Sequence, residues 1–248
     1  MKISIITSVY NNKETIEDAI KSVLSQTYQN IEYIVVDGGS SDGTLEVIEK
    51  YKDKISTFIS EPDKGIYDGL NKGVALATGD VVAFLHSDDI YASDNIIKEI
   101  VEEFRSSGAD GVYGDLVYTP KEDTSKVLRY WKSKKFDISL LKQGWMPAHP
   151  TLFLKKSVYD TYGKFDLSFK IAGDYDFMLR VLRAGTKVSY LPQVFYKMRV
   201  GGESNKSIKN IILKSKEDLR ALSNNGVGGF GALFIKNFSK VGQFLKKS

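Results

Sequence analysis

Two hydrophobic rhythms alternate along the first hundred residues. Short, nearly unbroken apolar runs at Ile3 to Val9, Ile31 to Val36, Ile55 to Ile59 and Val81 to Leu85 predict strands buried on both faces. Between them, apolar positions recur at helical spacing. Ile16, Ala19, Ile20, Val23 and Leu24 mark one helix, Leu45 to Tyr51 a short one and Ile66 to Ala77 a third. Ile96, Ile97, Ile100, Val101 and Phe104 mark a fourth. Asn11 followed by Glu14 reads as a capping box for the first helix. Strand alternating with helix four times over implies a parallel sheet with helices on both faces.

The pattern changes after residue 110. Gly111 to Tyr118 and Val127 to Trp131 read as strands joined around Pro120, followed by strands at Thr151 to Leu154, Val188 to Tyr190 and Val194 to Val200. A helix is expected from Asp174, with Phe177, Met178, Val181 and Leu182 inside it. With no repeat and no low-complexity linker, the two halves are expected to share one sheet. At 248 residues the chain is long enough for a sizeable core. It has no cysteine, which excludes disulfides, zinc–thiolate sites and thiol nucleophiles and fits a reducing compartment. The apolar start is soon followed by Lys13, Glu14, Glu17 and Asp18, so it reads as a first strand, not a signal peptide. No run approaches the ~20 apolar residues that span a bilayer.

In a sheet of this kind ligands bind at the carboxyl ends of the strands. Three polar clusters fall there: Thr7-Ser8-Val9-Tyr10-Asn11, the stretch from Asp37 to Thr44, and His86-Ser87-Asp88-Asp89. The second is neither a dinucleotide fingerprint nor a Walker A loop. Its leading carboxylate, Asp37, suits a base N–H or a ribose hydroxyl, whereas Asp42 reads as a helix cap. In the third, two adjacent carboxylates follow a buried strand. Such crowding is costly without a cation or donors, and oxygen ligands suit magnesium or manganese bridging to substrate phosphates.

These clusters, together with Glu61 to Gly73 and Ala172-Gly173-Asp174-Tyr175-Asp176, resemble the inverting family 2 glycosyltransferases of the GT-A fold over roughly residues 2 to 205. The resemblance implies a Rossmann-like α/β fold whose mixed sheet, of mostly parallel strands, is flanked by helices on both faces. Residues 1–95 would form a nucleotide-sugar-binding half and residues 96–205 an acceptor half, followed by a helical tail at 206–248. It implies that Asp37 meets the nucleotide base beside Thr7, Val9 and Tyr10. Asp88 would approach the ribose, and Asp89 would hold Mn2+ or Mg2+. Lys64, Gly65, Asp68 and Asn71 would lie over the donor sugar and its phosphates. Asp174 falls at the position of the catalytic base, although Gly173 stands where an acid is usual, and Asp176 is its rival. His149 resembles a position near acceptor or metal. Trp145 offers a ring for an acceptor sugar, or plain core packing. Arg199 or Ser204, in a loop that some relatives fold over the donor, would reach phosphate, with a plain turn as the alternative.

The implied partners are a nucleotide-sugar donor, by family habit uridine-based, and a glycan or lipid-linked glycan acceptor. Charge refines this. From residue 221 onward there are four lysines and no acid, so the tail carries the net +4 and the body sums to zero. A neutral body argues against nucleic acid. Val227, Phe230, Leu233, Phe234, Phe238, Val241, Phe244 and Leu245 fall at helical spacing among Lys236, Lys240, Lys246 and Lys247. That pattern reads as a helix lying on a membrane surface, or as one packed on the body or on a second subunit. The expected location is the cytoplasm, peripheral to the inner face of the membrane. The competing readings are a sugar-nucleotide nucleotidyltransferase, which needs a glycine-rich basic loop that residues 7–12 lack, and a non-catalytic nucleotide-sugar-binding protein, against which Asp174 speaks.

Overall fold

The computed structural model describes residues 1–201 and 207–239. Its first half follows the apolar pattern closely. Strand β1 (Ile3–Val9) leads through α1 (Ile16–Leu24) to β2 (Ile31–Asp37), then α2 (Thr44–Glu49), β3 (Thr57–Ser60), α3 (Ile66–Leu76) and β4 (Val81–Phe84). β3-β2-β1-β4 are neighbours in that order and all parallel. A single 3-10 turn at Lys52–Lys54 precedes β3, which starts at Thr57, two residues later than expected. The capping box does not form: α1 begins at Ile16, and Glu14 instead pairs with Lys121 at 2.5 Å.

The second half completes the same sheet. A two-residue strand, β5 (Ile90–Tyr91), precedes α4 (Ile96–Ser107), β6 (Gly111–Thr119) and β7 (Arg129–Trp131). Then come β8 (Phe153–Lys155), α5 (Lys156–Tyr162), α6 (Gly173–Arg183) and β9 (Val188–Arg199). The sheet order is β3-β2-β1-β4-β8-β6-β9-β5, with β7 beside β6. β8 is antiparallel to both β4 and β6, while β9 is parallel to β6 and antiparallel to β5. Most strands therefore point one way, and their carboxyl ends form one edge. The two strands expected at 188–200 are one. Pro192, which has no N–H for the ladder, sits where the register against β6 slips between Tyr113 and Leu116, so a bulge absorbs it.

Both faces are covered. Ile3, Ile5, Val35, Ala83 and Phe153 pack with α1, α2 and α4 on one face. Ile6, Ile34, Val36, Val82 and Leu154 pack with α3, α5 and α6 on the other. α3 lies very close to β1: a Cβ built on Gly73 would sit 2.3 Å from Cγ2 of Ile6. Helices α7 (Ile208–Asn224) and α8 (Phe230–Ser239) pack against the second face. The described tail therefore docks on the body. Lys236, expected on a polar face, turns inward to pair with buried Asp218 at 2.7 Å and lies over the Tyr175 ring. Among the described residues no helix is long and apolar enough to cross a membrane. Ser204, Lys240, Val241, Phe244, Leu245, Lys246 and Lys247 lie outside the described residues.

Candidate active site

The carboxyl edge gathers the three polar clusters. The loops after β1 and β2 are laced together: Asn11 N–H donates to Ser40 Oγ, Asn12 N–H to Thr44 Oγ1 and Lys13 N–H to Asp42. Ser41 N–H donates to Asn11 Oδ1. Asp42 Oδ1 also accepts from the N–H and the hydroxyl of Thr44, a local turn ahead of α2; the N-cap itself is Gly43, which makes no side-chain cap bond, so the expected Asp42 cap does not form. Asp37 is fully buried. Its Oδ2 accepts from Gly39 N–H and Ser40 N–H, each at 3.0 Å, and from Ser60 Oγ at 2.7 Å. Its Oδ1 is buried without a partner. A desolvated acceptor on a rigid carboxylate is costly to leave unmade, and an incoming N–H would satisfy it.

Thr7 and Val9 lie at the carboxyl end of β1. Both side chains are buried, Thr7 Oγ1 lies 3.1 Å from the Tyr33 hydroxyl, and Val9 carbonyl accepts from Gly38 N–H. They shape the floor of the cleft and present no side chain to a ligand, whereas Tyr10 stands 64% exposed at its rim. Lys64 and Gly65 are exposed at the entry to α3. Asp68 and Asn71 are held by architecture. Asp68 Oδ2 accepts from Lys64 N–H, and the Asn71 amide exchanges both its hydrogen bonds with the backbone of Phe165. Asn71 thus fixes the loop ahead of α6, with one N–H and one lone pair of its amide still unused.

The adjacent carboxylates divide by direction. Asp89 is fully buried and faces β6 and β9: its Oδ1 accepts the Arg199 backbone N–H at 3.1 Å. Burial, and the charge of Asp88 next to it, push this carboxyl well above the usual range, while the Arg199 N–H and guanidinium pull the other way. Asp88 is half-exposed, and no described residue donates a hydrogen bond to its side chain. Asp89 Oδ2 is buried without a hydrogen-bond partner, so each of the two carboxylates keeps an oxygen that no described residue engages, and Asp88 is the more open of the pair. Arg199 is not free for phosphate. It is buried, and its guanidinium donates to Lys121 O, Asp88 O and Asp18 Oδ2. It is the clamp that holds the Asp88-Asp89 turn.

Asp174 is half-exposed in the first turn of α6. The Tyr67 hydroxyl lies 2.7 Å from Ile171 O and 3.1 Å from Asp174 Oδ1, its one proton bridging the pair. Its rival is engaged: Asp176 pairs with Arg180 at 3.3 Å and accepts from Asn225 at 3.0 Å. Two imidazoles join the carboxylates. His86 follows β4, His149 precedes β8, and the rings are 6.1 Å apart. Burial lowers the pKa of His86 against the opposing charges of Asp88 and Asp174, so both carboxylates act on one ring. His149 stacks on Phe84, and its Nε2 is buried without a partner. Burial brings it down to about 4, with Asp174 opposing and His86 adding to the fall, so it is neutral at physiological pH. Trp145 is half-buried against Phe136 and Tyr113, away from open solvent on both of those sides.

Tyr67 and His86 carried no expected role. Tyr67 sits inside the helical run 66–77, where its apolar spacing hides its hydroxyl. His86 is adjacent to the carboxylate pair, and its being one of only two histidines was the available signal. Among the described residues no three His, Asp or Glu side chains gather into a cage for a metal. An ion that keeps waters and bridges to phosphates needs only one or two protein ligands. The open carboxylate of Asp88, with His86 beside it, fits that requirement.

A helix-flanked, mostly parallel sheet with carboxylates at its carboxyl edge is the GT-A glycosyltransferase arrangement, and sequence comparison agrees. The Glycosyl transferase family 2 profile matches residues 4–163, and the chain belongs to that family. It is 32% identical over 189 residues to an uncharacterized glycosyltransferase of Mycobacterium tuberculosis, covering 72% of this chain and 68% of that one. A glycosyltransferase of PGL/p-HBAD biosynthesis from Mycobacterium bovis is 29% identical, covering 71% of this chain and 68% of its own length. Residues 1–349 of S. aureus TarS in complex with UDP-GlcNAc superpose with a TM-score of 0.72 at 20% identity, covering 90% of this chain and 67% of that one. In a longer S. aureus TarS structure the match covers 88% of this chain and only 39% of that one. The mannosyltransferase PcManGT of Pyrobaculum calidifontis, in complex with GDP-Man and Mn2+, superposes over all of this chain and 76% of its own, with a TM-score of 0.67 at 17% identity.

Proposed function

We propose that this glycosyltransferase moves a sugar from a nucleoside-diphosphate donor, of the uridine type, to a hydroxyl of a glycan acceptor, inverting the anomeric centre. The observation that carries the reading is the position of Asp174. It stands half-exposed in the first turn of α6, with the Tyr67 hydroxyl 3.1 Å from its Oδ1 and its other oxygen free of any bond from a described residue. The acceptor oxygen bonds to the anomeric carbon as the bond to the diphosphate oxygen breaks, and Asp174 takes the hydroxyl proton. A single base on the face opposite the leaving group, with no covalent intermediate, gives inversion. Charge builds on the sugar ring as in glycoside hydrolysis. Asp37 receives the base N–H at its unpaired Oδ1, and Tyr10 lies over the base. His149, neutral and with Nε2 unpaired, is placed for a sugar hydroxyl. Asp88 and His86 are the side chains that would hold Mn2+ or Mg2+, whose chemistry there is to neutralise the departing diphosphate. Lys64 adds a cation at the same rim.

The test is a panel of UDP-, GDP- and dTDP-sugars, scored for nucleoside diphosphate release with and without Mn2+. Asp174→Asn is expected to lower turnover by ~10³-fold or more while leaving donor affinity within a few-fold. Wild-type turnover in Asp174→Asn, or indifference to Mn2+ and Mg2+ with every donor, overturns the assignment.

We further propose that the acceptor is lipid-linked and that the enzyme sits on the cytoplasmic membrane surface. On α8 the outward residues Phe230, Phe234 and Ile235 are exposed, 78%, 62% and 44% respectively, and a lysine-rich stretch follows them. Apolar residues beside cations suit an anionic lipid interface. Phe230→Ser with Phe234→Ser is expected to abolish co-sedimentation with phosphatidylglycerol vesicles at unchanged turnover on a water-soluble acceptor. Retained binding removes this part of the reading.

A further inference from the structure

The C-terminal helices grip the segment that carries Asp174. Glu217, on α7, is 6% exposed and lies outside the residues matched by the family profile. Its Oε1 accepts the Lys170 N–H at 2.9 Å, and its Oε2 accepts the N–H groups of Ile171 at 2.8 Å and Ala172 at 2.9 Å. These three amides end one residue before α6 begins. They precede the helix, so no intrahelical carbonyl is available to them, and a buried N–H without a partner is costly. A carboxylate that accepts three of them fixes the backbone more firmly than neutral acceptors would. Neighbouring contacts act on the same stretch. The Arg220 guanidinium covers the Phe169 ring and donates to Ser168 O, Lys236 Nζ lies over the Tyr175 ring, and the Asn225 amide donates to Asp176. On the other side Tyr67 ties Ile171 O to Asp174.

We infer that Glu217 is a positioning residue for the catalytic base: it locks residues 170–172 so that Asp174 meets the acceptor hydroxyl in one orientation. The inference rests on the reading of Asp174 as that base. A carboxylate loosened by an ångström loses the near-attack geometry on which proton transfer depends, while donor binding, built on β1, β2 and β4, is left intact. Glu217 therefore belongs to kcat and not to donor KM, and its effect passes through Asp174.

The experiment is a double-mutant cycle in the full chain, using whichever donor of the panel above gives the fastest Asp174-dependent release of nucleoside diphosphate. Glu217→Ala is expected to lower kcat by ~30-fold or more with donor KM within about twofold, and to add almost nothing in an Asp174→Asn background. Glu217→Gln, which keeps the volume and one acceptor, should fall between. Val101→Ala, a cavity in the opposite core, serves as a control of similar stability loss and should keep its kcat per folded molecule. Hydrogen exchange reports the clamp without any substrate: the amides of residues 170–172 should exchange at least 100-fold faster in Glu217→Ala, and those of β1 should not. Equal losses with and without Asp174, a raised donor KM at unchanged kcat, or unaltered exchange at 170–172 overturns the inference. If no donor gives Asp174-dependent release, the base assignment itself falls, and this inference falls with it.

Discussion

At the scale of single residues, the site shows how far residue type and local order go. Asp37 and Asp174 lie at the carboxyl edge where strand ends and motif order put them. Asp88 and Asp89 were legible as a pair, but which of them lies deeper was not. Which of two neighbours turns outward depends on one backbone turn, and that turn is set by Arg199, far away in sequence. Once Asp89 accepts the Arg199 N–H, Asp88 is left facing the cleft. Asp88→Asn is therefore expected to remove the response to Mn2+ and lower turnover ~100-fold or more. Asp89→Asn keeps the acceptor for Arg199 and removes a buried carboxyl. It should leave the fold as stable or more so, as urea unfolding will read, with the metal response retained. The opposite pattern in a metal titration would return the ion to Asp89. Asn71 and Arg199 carry a related lesson: polar residues near a cleft are as often its frame as its lining.

Among the elements, legibility followed burial. The strands and helices of the first half are buried on a fixed period and fall close to where the pattern puts them. The misses are short elements: β5 at Ile90–Tyr91, the 3-10 segments at 52–54, 138–143 and 149–151, and α5. The split reading of β9 has a local cause in Pro192, a residue that argues against a strand unless a bulge accommodates it. Closeness between elements was also invisible, because it is carried by what is missing. Gly73 lets α3 rest on Ile6 of β1, and with it the Tyr67 that reaches Asp174. Gly73→Ala should destabilise the protein by ~1–3 kcal/mol through overpacking, measured as a lower urea midpoint. A neutral result would mean that α3 shifts outward without cost.

For the molecule as a whole, an acid response is written into the edge opposite the site. Glu32, nearly buried, accepts from Lys2 Nζ, Ser4 Oγ, and both the N–H and the hydroxyl of Thr78. Burial works against its charge, but these donors outweigh it and hold the carboxyl at about 2, against an ordinary 4.5. A carboxyl depressed in the folded state contributes stability that is full above the unfolded value and is lost as pH falls toward the folded one. The window runs from about 4.5 down to about 2, and the contribution is roughly 3 kcal/mol by linkage. The urea midpoint of the wild type should fall steeply across that window, and that of Glu32→Gln should fall less. Parallel slopes would assign the acid response to other groups.

The strand order has a consequence for the newly made chain. β5 pairs with β9 alone, and the Asp88-Asp89 turn before it is tied down by the backbone and guanidinium of Arg199. A ribosome delivers residues 81–91 long before 188–199. The nascent N-terminal half can therefore assemble β3-β2-β1-β4 from its own parallel neighbours, while one wall of its own cleft waits about a hundred residues for its last strand. The polypeptide acquires a finished Asp88-Asp89 turn only after α6, with Asp174 at its head, has already emerged.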